Sequence, residues 1–157
     1  MVKNRLPFVA LGIGAIAGLR SMAAPALLSR AVSGRSLALP NGKLSFLGSK
    51  TTAKVFAVAG AAELLADKLP FTPNRTSAGP LAARIVSGAL CAAAIYSAHR
   101  KKVVVGALLG GLGALGGTFG AYHARRAIRT RLHVPDPLIA VAEDALAIGA
   151  GRRLAAA

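Results

Sequence analysis

Apolar and polar positions in this chain alternate in long blocks rather than with the period of a one-sided helix or strand. Five apolar stretches, at about 6–28, 49–69, 80–98, 103–124 and 137–151, are separated by segments that gather the basic and turn-forming residues. Blocks of this length predict helices that are apolar all round, so the fold class expected is all-α, a multipass transmembrane helix bundle of about five spans in a single domain. The clearest block is VVVGALLGGLGALGGTFGAYHA, residues 103–124, which runs from Lys102 to Arg125 without a formal charge. At about 1.5 Å of rise per residue it covers roughly the 30 Å of a bilayer's hydrocarbon core. Within it Gly106/Gly110, Gly113/Gly117 and Gly116/Gly120 repeat the small-xxx-small spacing. In water each such glycine costs about 1 kcal/mol against alanine; in lipid it lets a neighbouring backbone approach closely. This segment is therefore expected at the centre of the bundle.

The other blocks are less uniform. Lys3 and Arg5 precede the first, Gly14 and Gly18 give it a close-packing face, Arg20 interrupts it, and Pro25 is expected to bend its far end. A basic start followed by an apolar run also fits a signal peptide, but Pro25 directly after Ala23-Ala24 makes a poor cleavage site, so a retained helix is expected. Residues 29–50, with the Pro40-Asn41-Gly42 turn and several basic residues, read as a loop outside the hydrocarbon. The second block reaches membrane length only if Lys50 and Lys54 snorkel at one end and Glu63 lies inside; a re-entrant half-span competes with that reading. The third opens at Pro80, a favourable first helical residue, and leads through His99-Arg100-Lys101-Lys102 into the glycine block as its antiparallel neighbour. Asp136-Pro137 reads as N-cap and first turn of the last, short block.

The first and last pairs of blocks resemble each other. GAIAGLR at 14–20 overlays GTFGAYH at 117–123, and AVAGAAELLAD at 57–67 overlays LIAVAEDALAI at 138–148, each of the latter with an acidic residue mid-helix. In a five-span arrangement these pairs enter from opposite sides, as in the inverted two-helix repeats of transporters; the general likeness of Ala/Gly-rich helices gives the same resemblance without a repeat. Basic residues divide almost evenly between the two sides of such an arrangement, so orientation does not follow.

Composition sharpens the environment. Charged residues make up 16% and apolar residues 54% of 157, with mean hydropathy +0.56. A soluble domain is nearer one quarter charged. Twenty Lys and Arg against five Asp and Glu give a net charge of +15, but they lie at the ends of the apolar blocks and there is no Trp. That distribution argues for snorkelling to anionic lipid headgroups and against a nucleic-acid face, which would gather its cations and add stacking aromatics. The single Cys91 sits among small apolar residues and reads as a buried spectator.

Charges inside apolar blocks are the most informative positions. A charge near the bilayer centre costs roughly 2.5–3.5 kcal/mol on insertion scales, so such residues face the bundle interior or a wet cavity and have partners. Arg20 is expected to pair with Glu63, with Asp67 one turn further on as a second acceptor. Two roles compete: a structural lock that fixes which helices meet, and a polar path for protons, ions or an anionic headgroup built from Glu63, Glu143 or Asp144 with His123. There is no HExxH, GxSxG or phosphate-binding GKS/T motif, and Cys91, His99, His123 and His133 lack metal-ligand spacing, so neither an enzyme nor a metal or cofactor is expected.

Gly18-Leu19-Arg20-Ser21 with Pro25, Glu63 followed by Asp67-Lys68-Leu69-Pro70, then Pro73, Arg75, Arg84 and Ser87-Gly88-Ala89 resemble the bacterial integral-membrane family catalogued as domain of unknown function 4126. The resemblance implies a multipass protein of the bacterial cytoplasmic membrane and brings no activity with it. The function expected is a small transporter or channel-like protein for a solute, ion or lipid headgroup, with a non-catalytic scaffold or accessory subunit as the alternative. Its expected partners are the bilayer and a second copy or another membrane protein, the helix contacts running through Gly14, Gly18, Gly106, Gly110, Gly113, Gly117 and Gly120.

Overall fold

The computed structural model describes residues 5–66, 77–132 and 136–155, and among these the chain is all-helical. Six α-helices are formed: α1 (Leu6–Leu19), α2 (Ala23–Ser33), α3 (Lys50–Ala66), α4 (Ala78–Ala98), α5 (Val103–Leu132) and α6 (Asp136–Ala155), with one 3-10 turn at Ser45–Gly48. Helix α5 outruns the uncharged block because Ala124, Ala127 and the arginines between them are good helix formers, and no proline follows until Pro135.

Helices α1, α4 and α5 form the tight core through glycines. A Cβ at Gly110 would press on the Gly88 carbonyl and the Ala92 side chain of α4; one at Gly14 would press on the Gly110 carbonyl. Gly113 faces the Leu11 carbonyl, Gly117 the Ala15 carbonyl, and Gly18 the Ala114 carbonyl and the Thr118 backbone N. Gly106 fits against Ala92 and Tyr96. Four of the expected glycines of α5 thus meet backbone or ring atoms inside the same chain, whereas Gly116 and Gly120 face open space.

These contacts fix directions. From Gly14 to Gly18 the partner on α5 advances from Gly110 to Ala114, and from Leu11 to Ala15 it advances from Gly113 to Gly117, so α1 and α5 run parallel. Gly106 meets Ala92 and Gly110 meets Gly88, so α4 is antiparallel to both, as expected for helices joined by a short turn. That turn closes with Arg100 in the left-handed region (φ 53), where Arg100 N–H bonds the Ser97 carbonyl at 2.9 Å and Lys101 N–H bonds that of Tyr96 at 2.9 Å.

Two sequence expectations are corrected here. The first apolar block is not one helix bent at Pro25: α1 ends at Leu19, and Arg20 is extended (φ −143, ψ 114). Helix α2 leaves the α1 axis, because Ile16 and Leu27 both approach the same point at Gly151 of α6. This added reversal sets the direction of everything after it. An inverted relation of α1–α3 to α5–α6 needs α1 and α5 to be antiparallel, and they are parallel.

Helices α2, α3 and α6 form a second layer. Glu63 of α3 lies at the start of α2 and Gly48, just before α3, touches Val32 near its end, so α2 and α3 pair antiparallel. Many large apolar side chains point outward on α1, α3, α4, α5 and α6: Phe8, Val58, Val86, Val104, Leu108, Leu112 and Val141 are each at least 60% exposed.

Candidate functional site at the α1–α2 junction

A continuous helix through residues 14–28 would need the N–H groups of Ser21, Met22 and Pro25 to bond the carbonyls of Ala17, Gly18 and Ser21. Pro25 has no N–H, so the Ser21 carbonyl is orphaned from the outset. Side chains from other helices take over the Gly18 and Ser21 carbonyls and the freed N–H groups. Ser87 Oγ of α4 donates to the Ser21 carbonyl. Thr118 Oγ1 of α5 donates to the Gly18 carbonyl at 3.1 Å while keeping its own-helix bond to Ala114 at 2.8 Å. Glu63 of α3 takes the freed donors: its carboxylate accepts from Ser21 N–H at 2.8 Å, Ser21 Oγ at 2.7 Å and Met22 N–H at 2.9 Å.

Glu63 is therefore an N-cap supplied in trans, an anion at the positive end of α2. Pro25 falls in that helix's first turn, where a missing N–H costs nothing. Arg20, 5% exposed, follows the negative end of α1 and its Nε donates to Asp144 Oδ1 of α6 at 2.7 Å. Among the described residues Arg20 meets Asp144 instead of the expected Glu63, and Glu63 meets the α2 N-terminus. A carboxylate that receives three donors from a helix start is better satisfied there than by one guanidinium.

Of the other expected site residues, Glu143 and His123 lie apart from this junction. Glu143 turns to Arg125 of α5 at 3.7 Å, and His123 is exposed, edge-on to Tyr122 with ring centroids 5.3 Å apart. Asp67 lies outside the described residues. Cys91 is fully buried in α4. Among the described residues no three His, Cys, Asp or Glu side chains gather to hold a metal ion.

Beside the junction is a cavity of about 450 Å³ between α2, α3 and α6. Arg20, Glu63 and Asp144 border it at one end and Arg30 with Lys54 at the other, while Ala, Gly, Leu and Ile side chains line the rest. Sequence reading found the three charges at the junction and missed Ser21, Ser87 and Thr118. Their signal was present: Ser87 and Thr118 are isolated hydroxyls inside the two cleanest apolar blocks, where a polar group needs a partner.

Fold and site together define an all-helical protein with two helices, α4 and α5, long and apolar enough to cross a membrane. The chain belongs to the family described as a domain of unknown function (DUF4126), whose model matches residues 8–152. No curated protein and no solved structure matches it.

Proposed function

We propose that this is a small multipass membrane transporter or channel-like protein whose solute site is the cavity at the α1–α2 junction. The observation that carries the reading is the gathering of Arg20, Glu63 and Asp144 at one end of an otherwise apolar 450 Å³ cavity, level with Ser87 near the middle of α4. Charges at membrane depth are expensive, and broken helices whose ends face a cavity are the usual setting for solute and coupling-ion sites. The outward apolar side chains on α1, α3, α4, α5 and α6 support a lipid surround, since a soluble monomer rarely exposes so many large apolar side chains.

The helix directions support a membrane arrangement different from five alternating spans. With the reversal at Arg20–Met22, residues 34–49 and 99–102 share the side of the chain's start, and the C-terminal arginines of α5 emerge on the other. Among the described residues, Arg5, Arg35, Lys43, Arg100, Lys101, Lys102 and Arg153 then outnumber Arg125, Arg126 and Arg129. That bias, absent from the five-span arrangement, orients the chain's start toward the cytoplasm. Helix α5, about 45 Å long, exceeds the hydrocarbon thickness and carries these arginines beyond it.

Reconstituted vesicles test the reading. Proton flux is followed with entrapped pyranine under an imposed potential, and headgroup flux with dithionite quenching of a fluorescent lipid. The expected result is flux in one of the two assays, abolished by Asp144→Asn in protein that stays monodisperse; flux in neither, or flux indifferent to the substitution, overturns it. A scaffold role keeps one supporting observation: among the described residues a side chain at Gly116 or Gly120 would meet nothing within 4 Å, which leaves that face to a partner helix.

A further inference from the structure

The two ends of the cavity differ in whether their charges are satisfied. At the junction, Glu63 accepts three hydrogen bonds and Asp144 accepts from Arg20. At the far end Arg30 and Lys54 are exposed, and neither makes an ion pair among the described residues. The unsatisfied charge is therefore positive and sits at one end only. Lys54 precedes Glu63 by nine residues on α3, a separation of about 13 Å along the helix. The wall between is apolar: Ala57, Gly60 and Ala61 from α3 face Ala26 and Leu27 from α2, with Ile148 from α6.

We propose that this cavity binds an anionic membrane lipid, its phosphate between Arg30 and Lys54 and an acyl chain along the α2–α3–α6 wall, a proposal that rests on reading the cavity as the transporter's solute site. Charge placement selects this occupant. Basic side chains near the membrane surface attract anionic headgroups. The carboxylates at the junction repel an anion from the inner end, so the headgroup stays at the cationic end and the apolar stretch takes the chain. A small hydrophilic anion would satisfy the two cations but leave the apolar wall uncovered.

The test uses the full-length protein in phosphatidylcholine nanodiscs doped with either phosphatidylglycerol or phosphatidylcholine bearing a photoreactive acyl chain. Cross-linked peptides are then mapped by mass spectrometry. Phosphatidylglycerol is expected to label residues 53–61 and 144–148 in preference to phosphatidylcholine, and Arg30→Ala/Lys54→Ala to lower that labelling at least about tenfold, as the loss of two interfacial cations implies. Labelling of the outer faces of α4 and α5 should not change. Gly60→Leu is the second variant: a Cβ there meets Met22 only at 3.8 Å, so the helix pair tolerates it while the added side chain fills the cavity. It should remove wall labelling with the protein still folded. Equal labelling by both lipids, labelling indifferent to both variants, or displacement by inorganic phosphate alone overturns the proposal. The two readings fail separately: labelled walls without flux uphold lipid binding and remove transport, whereas flux with unlabelled walls removes the lipid.

Discussion

The α1–α4–α5 core and the α2–α3–α6 layer are built from the same small residues and put them to opposite use. In the core, glycines bring backbones into contact: Gly14, Gly88 and Gly110 meet at one point, where α1, α4 and α5 touch without an intervening side chain. In the layer, Ala57, Gly60 and Ala61 face Ala26 and Leu27 across a cavity, and Gly60 has only Met22 near it. Small residues thus seal one region and hollow the other. What separates them is polarity: the core has no charged side chain at its glycine crossing, while the layer must accommodate Arg20, Glu63 and Asp144.

The largest expected effect breaks the core alone. Gly110→Leu drives a side chain into the Gly88 carbonyl and should cost about 3 kcal/mol or more, seen as loss of monodisperse protein on heating in detergent. Gly116→Leu, on the open face of the same helix, should leave the melting temperature unchanged. Next comes the ion pair of the layer. Asp144→Leu should destabilise by about 3 kcal/mol and Arg20→Met/Asp144→Leu should recover much of that loss. A double-mutant cycle on denaturation should return a coupling of about 1–3 kcal/mol, and a coupling near zero would separate the pair from the fold. Glu63→Ala should cost about 1–2 kcal/mol through loss of the α2 cap, and Glu63→Gln less, because the amide keeps one acceptor. The smallest effect returns to the core's turn: Arg100→Gly relieves a left-handed residue and should raise stability by about 0.5 kcal/mol.

Much of the core was legible in sequence because its signal is local. The uncharged block at 103–124 named α5, the Pro80 and 99–102 boundaries placed α4 as its antiparallel neighbour, and the glycine spacings of α1 and α5 pointed to close packing. Gly120 shares the spacing and faces open space, since periodicity gives a helix face but not its neighbour. The layer was legible only as a set of costly charges. Which carboxylate meets Arg20 depends on where the chain turns, and that turn is decided by distant groups. Thr118 and Glu63 each take over a hydrogen bond that a continuous helix would have made, and Ser87 donates to the carbonyl that Pro25 leaves without a donor. Pro25 was the visible clue, yet its effect falls on the Ser21 carbonyl four residues earlier, so the break appears at Arg20 and the apparent repeat loses its inverted relation.

The reversal at Arg20–Met22 is best tested by the sidedness it imposes. Single cysteines at Arg5, Gly42, Lys101 and Thr130, in a Cys91→Ala background, can be labelled in sealed vesicles with a membrane-impermeant maleimide. The structure predicts that Arg5→Cys, Gly42→Cys and Lys101→Cys react from one face and Thr130→Cys from the other. Labelling of Arg5→Cys from the face opposite to Gly42→Cys and Lys101→Cys would restore a single first span and contradict the account.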